Sequence, residues 1–166
     1  KDGVITPHLA PWLRHFKGLH GSEVKEPHRK IVVLRPGAKT RRMTNSDELL
    51  LALKGWETVV LETMTVREQM KTFAEATHIV AAHGAGLVNL LWCKPGTKVI
   101  EIQDTKMIHK KVYPILSHHL GLKHELYLAD TVPITLQDGK KPKGIKRLSD
   151  LINFKINVPD LLKYLD

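Results

Sequence analysis

A single cysteine, Cys93, excludes any internal disulfide and any thiolate metal cluster in this chain of 166 residues. Lying after Trp92 in an apolar stretch, it reads as a small buried hydrophobe. Aromatic residues make up only 5%, too few to interleave with basic ones as single-strand nucleic-acid binding requires. The run GKKPKGIKR at 139–147 therefore reads as a solvated loop, facing an acidic acceptor or an absent domain. No apolar run approaches the roughly 20 residues that span a bilayer, and no signal-like segment opens the chain. It is expected to be a soluble portion of something longer, with any membrane tether outside it. Acidic residues are outnumbered by Lys and Arg, 17 to 26, which points to an anionic partner or substrate. His118, His119 and His124 have no further carboxylate or cysteine spaced to complete a site, and adjacent residues on a helix diverge by about 100°. No metal is expected.

What the chain does have is alternation. From Lys30 the segments KIVVLR, SDELLLALKG, ETVVLE, VREQMKTFAEA, HIVAA, AGLVNLLW, KVIEI, KKVYPILSHHLG and HELYLA read as strands and helices in turn. IVVL and HIVAA are continuously apolar, as strands covered on both faces are. The expected fold class is α/β, a Rossmann-like doubly wound parallel sheet over residues 30–166. Residues 1–29 read as a linker with a short helix around HLAPWLRHF, and 131–146 as a loop. Asn45 with Glu48, and Thr65 with Glu68, have capping-box spacing. Val66, Met70, Phe73 and Ala74 then share one helical face. The ending LINFKINVPDLLKYLD reads as a strand, then a helix with Pro159 at its first position.

The apolar run ATHIVAAHGAGLVNLLW breaks at HGAG, where a strand meets a helix. In a doubly wound sheet, ligands bind at such strand ends, where a helix offers unpaired N–H groups and the positive end of its dipole. Gly84 and Gly86 suit unusual torsions and the close approach of a phosphate, with His83 as a donor. A tight turn with close packing, and a satisfied core histidine, is the plain alternative. The dinucleotide fingerprint is absent, since Asn89 stands where its third glycine would be. The loop LRPGAKTRR brings Arg35, Lys39, Arg41 and Arg42 to the same sheet edge, where guanidinium groups can clamp a diphosphate. Of these, Arg35 and one of Arg41 or Arg42 are the functional candidates, the others a solvated basic loop.

VLRPGAKTRRMTNSDEL, the long block MTVREQMKTFAEATHIVAAHGAGLVNLLWCKPGTKVIEI and the terminal INVPDLLKYLD together resemble the catalytic domain of glycosyltransferase family 61. That family includes plant xylan arabinosyl- and xylosyltransferases and animal enzymes that add N-acetylglucosamine to EGF domains or to O-mannose. The likeness runs from about Lys30 to the C-terminus. It implies a GT-B architecture of two facing Rossmann-like domains, of which this chain is the C-terminal, donor-binding half. By the resemblance, Arg35 and Arg41 or Arg42 match the arginines after the first strand, and Asn45 the asparagine before the next helix. Glu68 and Gln69 match the turn-opening EQ, and His83, Gly84, Ala85 and Gly86 the donor-phosphate turn. Asn89 matches the asparagine one helical turn on. Glu101 matches the acidic residue ending the next strand, where it accepts from ribose hydroxyls or from a loop amide.

The expected function is metal-independent, inverting transfer from a nucleoside diphosphate sugar, UDP-linked, to a glycan or glycoprotein acceptor, with no cofactor. Arginines and a helix N-terminus stabilise a leaving diphosphate without a metal. No catalytic residue is assigned: inversion needs a base near the acceptor, and the resemblance places the acceptor side on an N-terminal domain or companion chain. The expected setting is the Golgi or endoplasmic reticulum lumen, or the cytoplasm of a bacterium. The alternatives are a non-catalytic nucleotide-sugar-binding or scaffolding module and, more weakly, a basic nucleic-acid-binding domain with steep salt dependence.

Overall fold

The computed structural model describes residues 26–38, 40–105, 111–134 and 152–165, together with His15. Apart from His15, the expected helix at 8–16 lies outside these residues, as do Lys39 and the run at 139–147. The elements in chain order are β1 (Arg29–Val33), α1 (Ser46–Ala52), β2 (Glu57–Val59), α2 (Val66–Ala74), β3 (Ala76–Ala82), β4 (Lys98–Asp104), α3 (Val112–Leu120), β5 (Lys123–Pro133), β6 (Ile152–Lys155) and α4 (Val158–Leu162). Two 3-10 segments, Leu61–Thr63 and Ala85–Trp92, follow β2 and β3.

The strands form one sheet in the order β2-β1-β3-β4-β5-β6. The first five are parallel and β6 runs antiparallel to β5, so the Rossmann-like sheet is mixed rather than wholly parallel. In β1 the side chains of Ile31 and Val33 enter one buried cluster and that of Val32 the other, on opposite faces of the pleat. Phe73, Ile79, Leu87 and Leu90 fill the first cluster. Leu49, Val80, Ile100, Phe154 and Leu161 fill the second. Burial on both faces is why these strands are apolar throughout.

Thr65 and Glu68 form the capping box at the start of α2, with both reciprocal bonds present. Thr65→Ala is therefore expected to cost about 1 kcal/mol, read from the urea midpoint at constant m-value. Asn45 makes no cap bond. Its amide instead donates to the Ile156 carbonyl at 2.8 Å and accepts from the Ile156 N–H at 3.0 Å, completing a backbone-like pair with the strand end beside it. Val66 is 72% exposed while Phe73 is fully buried, because Val66 borders an open cleft rather than the sheet. Asn157 caps α4, which makes Pro159 its second residue, not its first.

Ala85–Trp92 is a 3-10 segment where an α-helix is expected, with the Leu87 N–H bonded to the Gly84 carbonyl at 3.0 Å. At three residues per turn, positions i and i+3 align, and Leu87, Leu90 and Cys93 are all buried along that line. The apolar spacing is compatible with the tighter helix. No helix among the described residues is long and apolar enough to cross a membrane.

Candidate functional site

Because β1 lies between β2 and β3, the connections leaving the C-terminal ends of β1 and β3 diverge to opposite sides. This opens the crevice where doubly wound sheets bind ligands. The two strand ends are level, with Val33 paired to Ala81. Arg35, just past β1, therefore stands beside the turn His83-Gly84 that follows β3. A Cβ built on Gly84 would lie 3.5 Å from Nη1 of Arg35. That nitrogen is buried and has no hydrogen-bond partner among the described residues. Among the described residues, the one carboxylate paired with Arg35 is that of the exposed Glu62, at 3.9 Å from Nε.

Two clefts meet at this point and share Val33, Arg35 and Ala82 as walls. The smaller, ≈ 230 Å³, is lined by Arg41, Arg42, Thr44 and Ser46. The larger, ≈ 590 Å³, is bounded by Gly84 and Ala85 and by the apolar side chains of Leu61, Val66, Val88 and Trp92. The arginine loop is held by β6: the Arg41 N–H donates to the Ile152 carbonyl at 2.6 Å, and the Phe154 N–H donates to the Arg42 carbonyl at 3.1 Å. Arg41 takes a left-handed backbone, φ 56°. A non-glycine residue holds that conformation only where its surroundings over-determine it, as the bonds to β6 do here.

The glycines act through space rather than torsion. Gly84 has φ 171°, an extended value open to any residue, so its contribution is room beside Arg35. A Cβ on Gly86 would come within 2.6 Å of Leu61 Cδ1, which makes this glycine the close-packing contact between the Ala85–Trp92 segment and the turn after β2.

Glu101 is neither at a strand end nor open to a ribose. It sits inside β4, which continues to Asp104, and is fully buried. His83 Nδ1 bonds one carboxylate oxygen, which also accepts from Gln103 Nε2 at 2.9 Å. The other oxygen accepts from His124 Nε2 at 2.9 Å. His124 Nδ1 in turn meets Ser117 Oγ at 2.7 Å. Burial pushes the Glu101 pKa up, but the bonds from His124, His83 and Gln103 together outweigh it and hold the carboxyl at about 2. The His83 ring is turned toward β4 and packs edge-on against Tyr113 at 5.3 Å between centroids. Burial, followed by the Glu101 charge, raises the Tyr113 pKa, while nearby Arg41 lowers it.

Four expected ligands are engaged within the fold. Glu68 is committed to the Thr65 box and Asn45 to Ile156. Gln69 donates to the Leu61 carbonyl at 3.1 Å and receives the Asn89 amide at 2.9 Å, tying α2 to both 3-10 segments. Arg35, Arg41, Arg42, Gly84, Ala85 and Gly86 line the clefts, and Gln69 and Asn89, though bonded to each other, line the larger one as well. Tyr113, Gln103 and His124 join the site unforeseen. The only trace in the sequence is the spacing of Glu101 and Gln103, which puts two polar side chains on one face of a strand whose neighbour on that face, Val99, is core.

The family model described as Glycosyltransferase 61 matches residues 3–100, which include the whole turn at His83–Gly86 and the arginine loop. The chain belongs to glycosyltransferase family 61. The match begins well before Lys30, ahead of β1. Among relatives, the chain is 28% identical to beta-1,2-xylosyltransferase RCN11 of Oryza sativa subsp. japonica over 132 residues, 74% of this chain and 22% of that protein. It is 25% identical to beta-1,2-xylosyltransferase of Arabidopsis thaliana over 114 residues, 58% of this chain and 21% of that protein. The chain thus spans about a fifth of the length of the curated relatives it matches. In this family 61 domain, the two clefts that meet at Arg35 form the candidate site.

Proposed function

We propose that this family 61 domain binds a nucleoside diphosphate sugar, with UDP as the nucleotide, for inverting transfer to a glycan or glycoprotein acceptor. The observation that carries the reading is Arg35 Nη1, buried against Gly84 with no acceptor among the described residues. Leaving such a donor unpaired costs about 1–3 kcal/mol, and a phosphate oxygen at Gly84 is the acceptor whose geometry suits a guanidinium. Two clefts meeting at Arg35 fit a ligand with two bulky parts joined by a diphosphate. Negative charge growing on the leaving diphosphate meets Arg35 and the arginines of the smaller cleft, whose charge is already in place.

By this reading the arginines supply the countercharge that a metal supplies elsewhere, and no cofactor takes part. The relatives' names make a xylosyl donor the first to test. The acceptor side and its base belong to a further domain or companion chain, and the setting is the Golgi or endoplasmic reticulum lumen. Calorimetric titration of the purified protein with UDP, GDP and a short oligonucleotide, with and without EDTA, tests the proposal. UDP binding that survives EDTA is expected. Binding to the oligonucleotide alone would overturn the reading in favour of a basic nucleic-acid-binding domain.

A further inference from the structure

Behind the turn runs a connected set of polar groups that neither cleft uses: Ser117, His124, Glu101 and His83. Its centre is a carboxylate with no solvent exposure, gripped on both oxygens by imidazole nitrogens. A buried carboxylate this well paired stays ionised and dictates the hydrogens around it. His124 donates from Nε2 to Glu101, and its Nδ1 accepts from the Ser117 hydroxyl. His83 donates from Nδ1. The His83 side chain keeps 14% exposure, and Tyr113 packs edge-on against its ring.

We propose that His124 is a positioning residue for the donor: through Glu101 it fixes the His83 ring, and with it the head of the turn whose Gly84, Ala85 and Gly86 border the larger cleft. The inference rests on the donor reading above and names a residue that shapes the same site from outside it. Among the described residues, the groups facing His83 are Glu101 and Gln103 from β4 and Tyr113 from α3, with Arg41 beside Tyr113. Ser117 and His124 reach it only through the carboxylate. In the metal-binding counterpart of this arrangement, a second partner on the far ring nitrogen likewise sets tautomer and orientation.

The test pairs 15N NMR of the histidine ring nitrogens with UDP titration across pH, on the wild type, His124→Leu and His124→Gln. The glutamine carries an amide N–H able to replace the Nε2 donor. His124→Leu is expected to move the His83 ring-nitrogen signals and to weaken UDP by about 5- to 10-fold, the equivalent of one ordinary hydrogen bond. His124→Gln is expected to restore affinity to within about twofold. Where His124→Leu does not fold, Ser117→Ala, which removes only the hydroxyl orienting His124, is expected to move the same signals. His83 signals unchanged in both His124→Leu and Ser117→Ala overturn the coupling. A wild type that binds no UDP overturns the donor reading itself, while the nitrogen signals still report on Glu101 and His124.

Discussion

Glu101→Ala is expected to destabilise the fold by about 3–5 kcal/mol, the cost of removing one partner from a buried charged network. The substitution strips His83, His124 and Gln103 of a shared acceptor at a point with no solvent exposure. The same group gives the protein an acid limb. Its pKa falls from 4.5 to about 2 on folding, so its contribution is fully present above pH 4.5 and is lost as pH drops toward 2. At about 1.4 kcal/mol per unit, that contribution amounts to about 3 kcal/mol. Urea unfolding at intervals from pH 7 to pH 2.5 is expected to show this decline in the wild type and a flatter profile in Glu101→Gln. An identical acid limb in the two proteins would place the acid-sensitive carboxylates elsewhere.

Arg35→Ala is expected to weaken UDP binding by about 10- to 100-fold, since hydrogen bonds to charged groups contribute about 1.5–3 kcal/mol and 1.4 kcal/mol is tenfold. Folding stability is expected to stay close to that of the wild type, because Nη1 has no partner in the ligand-free fold to lose and Glu62 is only loosely paired at 3.9 Å. Arg35→Lys is expected to recover little of the affinity, as an ammonium lacks the planar fork that meets two phosphate oxygens. Calorimetry on the three proteins, with unfolding curves alongside, separates binding from stability. Undiminished UDP affinity in Arg35→Ala would remove the observation on which the donor site rests.

The alternation of strands and helices was legible because covered strands are apolar on both faces, and because Thr65 and Glu68 carry the start of α2 in four residues. Asn45 and Glu48 carry the same spacing with a different outcome. The Asn45 amide does donate to Glu48, but it also pairs with Ile156, more than a hundred positions away, and no local pattern reports that second partner. The 3-10 form of Ala85–Trp92 was written in the spacing of Leu87, Leu90 and Cys93, which also reads as part of an α-helix. Glu101 looked like a strand-end ligand because KVIEI ends the apolar run, while β4 continues through two polar residues, Gln103 and Asp104, that are buried all the same.

By itself the sequence determined the fold class, the family and the residues of the arginine loop and the His83–Gly86 turn, since each is a local pattern or a contiguous motif. The tertiary structure alone decided which of them meet. The order β2-β1-β3 puts Arg35 against Gly84, leaving a guanidinium nitrogen buried without a partner among the described residues where the two clefts meet. It commits Asn45 to the scaffold, bonds Asn89 to Gln69 along the wall of the larger cleft, and turns Glu101 from an expected ligand into the anchor of His83. The reason is physical: propensity and capping act over a few residues, whereas the partner of a buried polar group is set by strand order and register, which join positions far apart in the chain.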